Sequence, residues 1–193
     1  MTMLTIFTTQ ENRRMKKLSL VLLAALLCFS CATTLRVEPE SLNDTLVVGQ
    51  VKLTVENWTD NQIVNLNGDY TTNIEIIIRN LSASEEQTVI TRGNGVFYFR
   101  AVPGCRYEIS HIGYEKSSNR GKVNIGVSPA IEFSIGSGKV FNVGKVVWTT
   151  DGATREHTLS LKNNFLEIRD IFFEKYSKSQ WNDFQWDAAV LKG

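Results

Sequence analysis

The chain has 193 residues, 42% of them hydrophobic, with 21 Lys and Arg against 20 Asp and Glu and only two His. That length supports one domain with a real core and not comfortably two. A net charge of +1 without a basic stripe argues against a nucleic-acid binder.

The first element is a leader. Met15-Lys16-Lys17 precedes an almost unbroken apolar run from Leu18 to Phe29, and Ser30-Cys31-Ala32 follows. A positive start, an apolar stretch of about a dozen residues and a small residue at the cut are the parts of a secretory signal peptide. The run is too short for the ~20 helical residues of a membrane span. Residues 1–30 are therefore expected to be removed, with Met15 as the true start of translation. With Cys directly after Ser30, the segment resembles a bacterial lipoprotein signal. The resemblance implies cleavage between Ser30 and Cys31, acylation of Cys31 (a palmitate-type anchor) and residence on the outer membrane. An ordinary secretory leader with a coincidental Cys is the alternative. The leader takes four of the 21 basic residues and one of the 20 acidic ones, so the mature chain carries a formal charge of −2. Cys28 leaves with it and Cys31 takes the lipid, so Cys105 remains without a disulfide partner. No His pairs with it locally, and it reads as a small buried hydrophobe rather than a reactive thiol.

Residues 31–44 are polar, contain Pro39 and lack periodicity. They read as a tether. From 45 to 162 the pattern is β. Leu46 to Val55 opens as an apolar run and then alternates; Ile74–Ile78, Val96–Phe99, Tyr107–Ile112, Ala130–Ile135, Val140–Trp148 and His157–Leu161 follow. Turn signals separate them: Asn67-Gly68-Asp69, Gly93-Asn94-Gly95, Pro103-Gly104, Gly136-Ser137-Gly138 and Asp151-Gly152. Short strands at this spacing predict an antiparallel β-sandwich. Phe97 and Phe99 fall on one face and Tyr98 on the other, and a hairpin through Pro103-Gly104 would return with Tyr107 and Ile109.

Residues 163–193 switch period. Asn163 or Asn164 can cap a helix carrying Phe165, Ile168, Phe172 and Tyr176 on one face. A second short helix from Gln180 would align Trp181, Phe184, Ala188 and Leu191. Both helices are expected to pack on the sandwich; an exposed aromatic patch for a partner is the competing expectation.

Thr91, Gly95, Phe97, Phe99, Pro103, Gly104, Tyr107 and Ile109 occur in the order and spacing of a known hallmark. This segment resembles the carboxypeptidase regulatory-like family of transthyretin-like β-sandwiches, over about residues 47–149. The resemblance implies a mainly β, antiparallel transthyretin/Ig-like sandwich, followed here by one or two C-terminal helices. It says little of function, since such modules are often scaffolds or adapters.

Chemistry is sparse. No metalloprotease helix, phosphate loop, nucleophile elbow or Cys-x-x-Cys occurs. His111 and His157 lack the company a catalytic triad needs. Asp60, Asn61, Asn65, Asn67 and Asp69 match no calcium motif and read as turn formers. The expectation is a non-enzymatic protein without cofactor or metal. It would be held to the membrane by its lipid and act as a structural or protein-interaction module, with an envelope protein as the possible partner. The alternative is binding of a glycan or small molecule. Trp58, Asp60, Asn61, Trp181 and Trp186 are the candidate binding surface, and a cleft lined by tryptophan would favour that alternative.

Overall fold

A computed structural model describes residues 37–59, 65–119 and 121–192. The leader and Cys31 lie outside the described residues. Twelve described strands form two stacked sheets, the β-sandwich expected from the strand spacing, and one C-terminal helix follows.

The first sheet is built around β1 (Thr45–Glu56) and β9 (Val140–Asp151), which run parallel with Leu46 opposite Val140 and Leu53 opposite Trp148. That parallel centre is not visible in the periodicity, which reports faces and not directions. β5 (Val96–Ala101) flanks the first half of β1, and β2 (Gly68–Tyr70) flanks its second half. β10 (His157–Lys162) lies outside the second half of β9. In the second sheet β3 (Ile74–Asn80) pairs with β6 (Arg106–Ser118), and β4 (Glu85–Ile90) forms the edge beyond β3. On the other side of β6 lie β8 (Ile131–Ser134) along its first half and β7 (Gly121–Val127) along its second.

The composition of β1 follows from what covers it. Val47, Val51, Leu53 and Val55 point into the space between the sheets, while Leu46 and Val48 point to the outer face. Where both faces are covered the strand is continuously apolar; where only one is covered it alternates. The cover is the tail. Helix α1 (Phe165–Lys175) begins at Asn164 and lays Ile168 and Phe172 over Leu46, Val48, Val96 and Val140.

Three sequence expectations change here. The segment from Gln180 is not a second helix. It is one 3-10 turn, Gln180–Asp183, followed by β11 (Trp186–Ala188) and β12 (Val190–Lys192). β11 joins β9 of the first sheet and β12 joins β8 of the second, so edge pairing overrides the helical spacing of Ala188 and Leu191. Likewise β5 and β6 are not a hairpin. Pro103-Gly104 carries the chain from one sheet to the other, and the Tyr107 hydroxyl accepts from the Val102 N–H at 2.7 Å across that arch. Phe99, Tyr107 and Phe133 still meet at the core centre, with ring centroids 5.4 and 5.8 Å apart in sequence along the stack.

The third change concerns the tether. Residues 37–44 are fastened to the fold. The Trp181 indole donates to the Val37 carbonyl at 2.6 Å, and the Glu38 carboxylate accepts from Ser179 Oγ at 2.9 Å and the Gln180 N–H at 3.0 Å. Arg100 reaches Glu40 at 2.8 Å and Asp44 at 2.7 Å. Only residues 31–36 of the expected tether lie outside the described residues.

Candidate functional site

Between β10 and β7, the edge strands at the Glu56 end of β1, no described strand joins the two sheets. A cleft of about 310 Å³ opens there. Thr150 and His157 face each other across the β9–β10 ladder on one wall. Val123 and Ile125 of β7 form the other, and Trp58 closes the end.

Trp58 follows β1 and is held by its own backbone. The Asn67 side chain accepts from the Trp58 N–H at 2.7 Å and donates to the Trp58 carbonyl at 3.3 Å. A side-chain amide thus replaces a strand partner, the turn-forming role that Asn plays in loops. The indole needs Gly152 beneath it: a Cβ there would lie 2.6 Å from both the Trp58 Cα and Cε3. The Trp58 Nε1 is buried and has no hydrogen-bond partner among the described residues. An unsatisfied buried donor of this kind is costly and calls for an acceptor.

The β9–β10 turn supplies the polar rim. Asp151 Oδ1 accepts the N–H groups of Ala153 at 2.8 Å and Thr154 at 2.9 Å, and its Oδ2 accepts from Asn57 Nδ2 at 2.7 Å. The Asn57 amide and then the Thr154 N–H hold its carboxyl below the usual carboxylate range. Arg155 occupies the left-handed region at φ 61°, and Asn57 does so at φ 50°. Asn tolerates that region; Arg does so at a cost of roughly 1–2 kcal/mol. Strain of this kind collects where a side chain is held for a purpose.

His157 is oriented by an indole. Trp148 Nε1 donates to its Nδ1 at 3.3 Å. The neutral ring then carries its proton on Nε2, making the outer nitrogen a donor. The orienting partner is an indole, where a Ser-His-Asp triad has a carboxylate. His111 has a packing role. Its ring lies across Gly113 and Gly126, where Cβ atoms would come within 3.0 Å and 2.7 Å of it. No group of three or more His, Cys, Asp or Glu that could hold a metal occurs among the described residues. Cys105 is half-buried against the main core.

Of the residues singled out in the sequence, the structure places Trp58 at a cleft. Asp60 and Asn61 lie outside the described residues. Trp181 and Trp186 lie in the tail packing, away from the cleft, the second of them half-buried. Trp181 is fully buried, with its ring 4.7 Å from that of Phe184. Trp186 is packed edge-on to Phe165, Phe172 and Phe173. Burying their large rings under α1 satisfies the outer face of β1, which the sequence does not mark as exposed or covered. Thr150, Asp151, Arg155 and Val123 were not singled out. Asp151-Gly152 signals the turn, but nothing in the sequence signals the backbone conformation of Arg155.

No family model, curated protein or solved structure matches the chain.

Proposed function

We propose that the protein is a lipid-anchored, non-catalytic module of the cell envelope, carried on the outer membrane by Cys31, and that it binds a glycan or small molecule. The observation that supports this best is the cleft beside Trp58. Asp151 is committed to the turn and to Asn57, and His157 accepts from Trp148. What the cleft presents is an aromatic side chain, two apolar side chains and outward donors. That combination suits recognition of a small polar ring, with apolar contact on one face and hydrogen bonds at its edge. The resemblance to carboxypeptidase regulatory-like sandwiches is consistent with an adapter of this kind.

The test is retention of the full-length protein, in detergent micelles, on immobilised cell-wall and capsular glycan fragments. Retention that disappears in Trp58→Ala supports the reading. A protein-interaction role is the second reading, favoured by the unpaired edge of β4, where Ile90 is 54% exposed. Thr88→Pro, which blocks pairing at that edge, separates the two. Glycan retention indifferent to Trp58→Ala, together with a crosslinked envelope partner lost in Thr88→Pro, replaces the first reading with the second.

A further inference from the structure

The fastened segment 37–44 limits how the domain can sit on its anchor. From Cys31 to Val37 the chain can span no more than about 20 Å, at ~3.3–3.6 Å per residue. The strand β1 alone, twelve residues long, extends about 40 Å at ~3.3 Å per residue. So short a leash keeps the side around Val37 within reach of the bilayer, without by itself fixing which side rests on it.

Val37 lies in a groove between the free edges of β4 and β5, together with Arg92 and Arg100. Arg100 is spent on Glu40 and Asp44. Arg92 forms no ion pair among the described residues, and the Lys175 ammonium is drawn in beside it, donating to the Arg92 carbonyl at 3.0 Å. Lys178 is exposed next to Ser179, the residue that holds Glu38. Among the described residues no carboxylate forms an ion pair with Arg92, Lys175 or Lys178. The nearby Glu38 accepts from Ser179 and Gln180, which fix its carboxylate in place and leave it one negative charge beside these three cations. Burial first, and then the Arg92 charge, push the Lys175 ammonium below its ordinary range.

We infer that the face formed by Arg92, Lys175 and Lys178 around Val37 rests on anionic lipid headgroups of the bilayer that carries the acyl anchor. Two independent observations meet here: the short leash leaves from this place, and the three cations at this place form no ion pair among the described residues. Basic residues next to an anchor gain attraction from anionic lipid over about a Debye length, so proximity is what makes them effective. β5 and β4 are the edges on this side of the sandwich, and β10 and β7 are the edges on the other. The Trp58 cleft therefore opens away from the membrane. The inference rests on the reading of Cys31 as the lipidated residue.

The test uses the lipidated full-length protein in vesicles of phosphatidylcholine with about a third phosphatidylglycerol and a small fraction of nickel-chelating lipid. With Cys105→Ser as background, a nitroxide is placed by Ser177→Cys beside the basic face or by Ser160→Cys on β10. Nickel at the headgroups should relax the label at 177 several-fold more than the label at 160. Charge reversal by Lys175→Glu with Lys178→Glu, or omission of phosphatidylglycerol, should bring the two together. Equal relaxation in the native protein overturns the inference. So does a difference that persists without anionic lipid, since the leash alone would then set the orientation. A protein that does not float with the vesicles, or has no acyl mass on Cys31, removes the anchoring reading and this inference with it. A floating protein with equal relaxation removes this inference alone.

Discussion

One side of the sandwich behaves in two ways along its length. At the Thr45 end of β1 the tail crosses from β11 in the first sheet to β12 in the second and closes the gap. At the Glu56 end, between β10 and β7, no described strand crosses and Trp58 stands over the opening. The closed half is apolar on both faces of β1 and packed by Ile168, Phe172, Tyr176 and Trp181. The open half has one buried face, a polar rim and two non-glycine residues with positive φ. A single strand thus passes from a purely structural environment to one in which side chains are held at the surface against local preference. The main core runs under both halves, the tail adds a second apolar cluster at the closed end, and Asn57 and Arg155, two of the five described non-glycine residues with positive φ, flank the cleft.

The largest effect is expected from removing the cover. Deleting residues 163–193 strips α1, β11 and β12 and exposes Leu46, Val48, Val96 and Val140. Each buried aliphatic or aromatic side chain contributes about 1.5–3 kcal/mol, so the loss exceeds the stability of a marginal domain. The truncated protein should fail to give a cooperative melt and should bind an apolar dye. A truncated protein that melts as the full chain does would show that the closed half does not depend on its tail. Next comes Phe97→Ala in the core shared by both halves, expected to cost ~3–5 kcal/mol. At the open corner Gly152→Ala drives a methyl into Trp58. Displacing that indole should cost ~1–3 kcal/mol by overpacking and abolish glycan retention, with the rest of the fold intact by hydrogen exchange. Retention preserved in Gly152→Ala would separate Trp58 from the binding role.

The closed half was more legible in the sequence than the open one, for a physical reason. Burial writes itself into hydrophobic period, so β1, β3, β5, β6, β8, β9 and α1 are all visible from Leu46, Ile76, Phe97, Tyr107, Phe133, Val146 and Phe172. Elements stabilised by backbone pairing with little burial are harder to see, although β10, nearly all exposed, shows in His157–Leu161. β4, with Glu85-Glu86-Gln87, carries no strong period; β7 alternates at Val123, Ile125 and Val127, but its glycines, Gly121 and Gly126, mask it as a strand. β11 and β12 were read as helix because three residues each cannot establish a period against the aromatic spacing around them. Partner choice is also silent: Val96–Ala101 looks the same in a hairpin as in an arch. At the cleft, Trp58 was visible as a residue but its seat on Gly152 and its clamp by Asn67 depend on chain segments about 90 and 10 residues away.

A smaller effect with an unusual sign sharpens the comparison. Arg155→Gly removes the cost of a side chain at φ 61°. It should stabilise the protein by about 1 kcal/mol, less the extra freedom that Gly gains in the unfolded chain. If the strain is kept for the rim of the cleft, the same variant should bind more weakly while melting higher. A variant that melts higher and binds equally would leave the conformation of Arg155 without a functional account.

The smallest effects are expected from acid, and they should divide along the same line. Asp44 fastens the segment ahead of β1. The Glu40 N–H, then the Arg100 guanidinium and the Ser41 groups, hold its carboxyl down to about 2. Asp151 is held below its ordinary range at the open corner, first by Asn57. Both are carboxylates whose charged form the fold favours, so each adds stability that is present above the ordinary Asp value of about 3.9. That stability is lost as pH falls through the lower folded value. Both are also partly open to water, which screens the gain, so the readout must be local rather than global. Hydrogen exchange across residues 37–44 and across the β9–β10 turn should stay protected down to about pH 4 and open progressively below it. Asp44→Asn should abolish that pH dependence in the first segment and leave the turn unchanged, because the two sites share no hydrogen-bond partner. Asp151→Asn should do the reverse. Opening of both segments in either variant would mean that the two halves are coupled through β1, and that the division between a closed structural end and an open functional end does not hold.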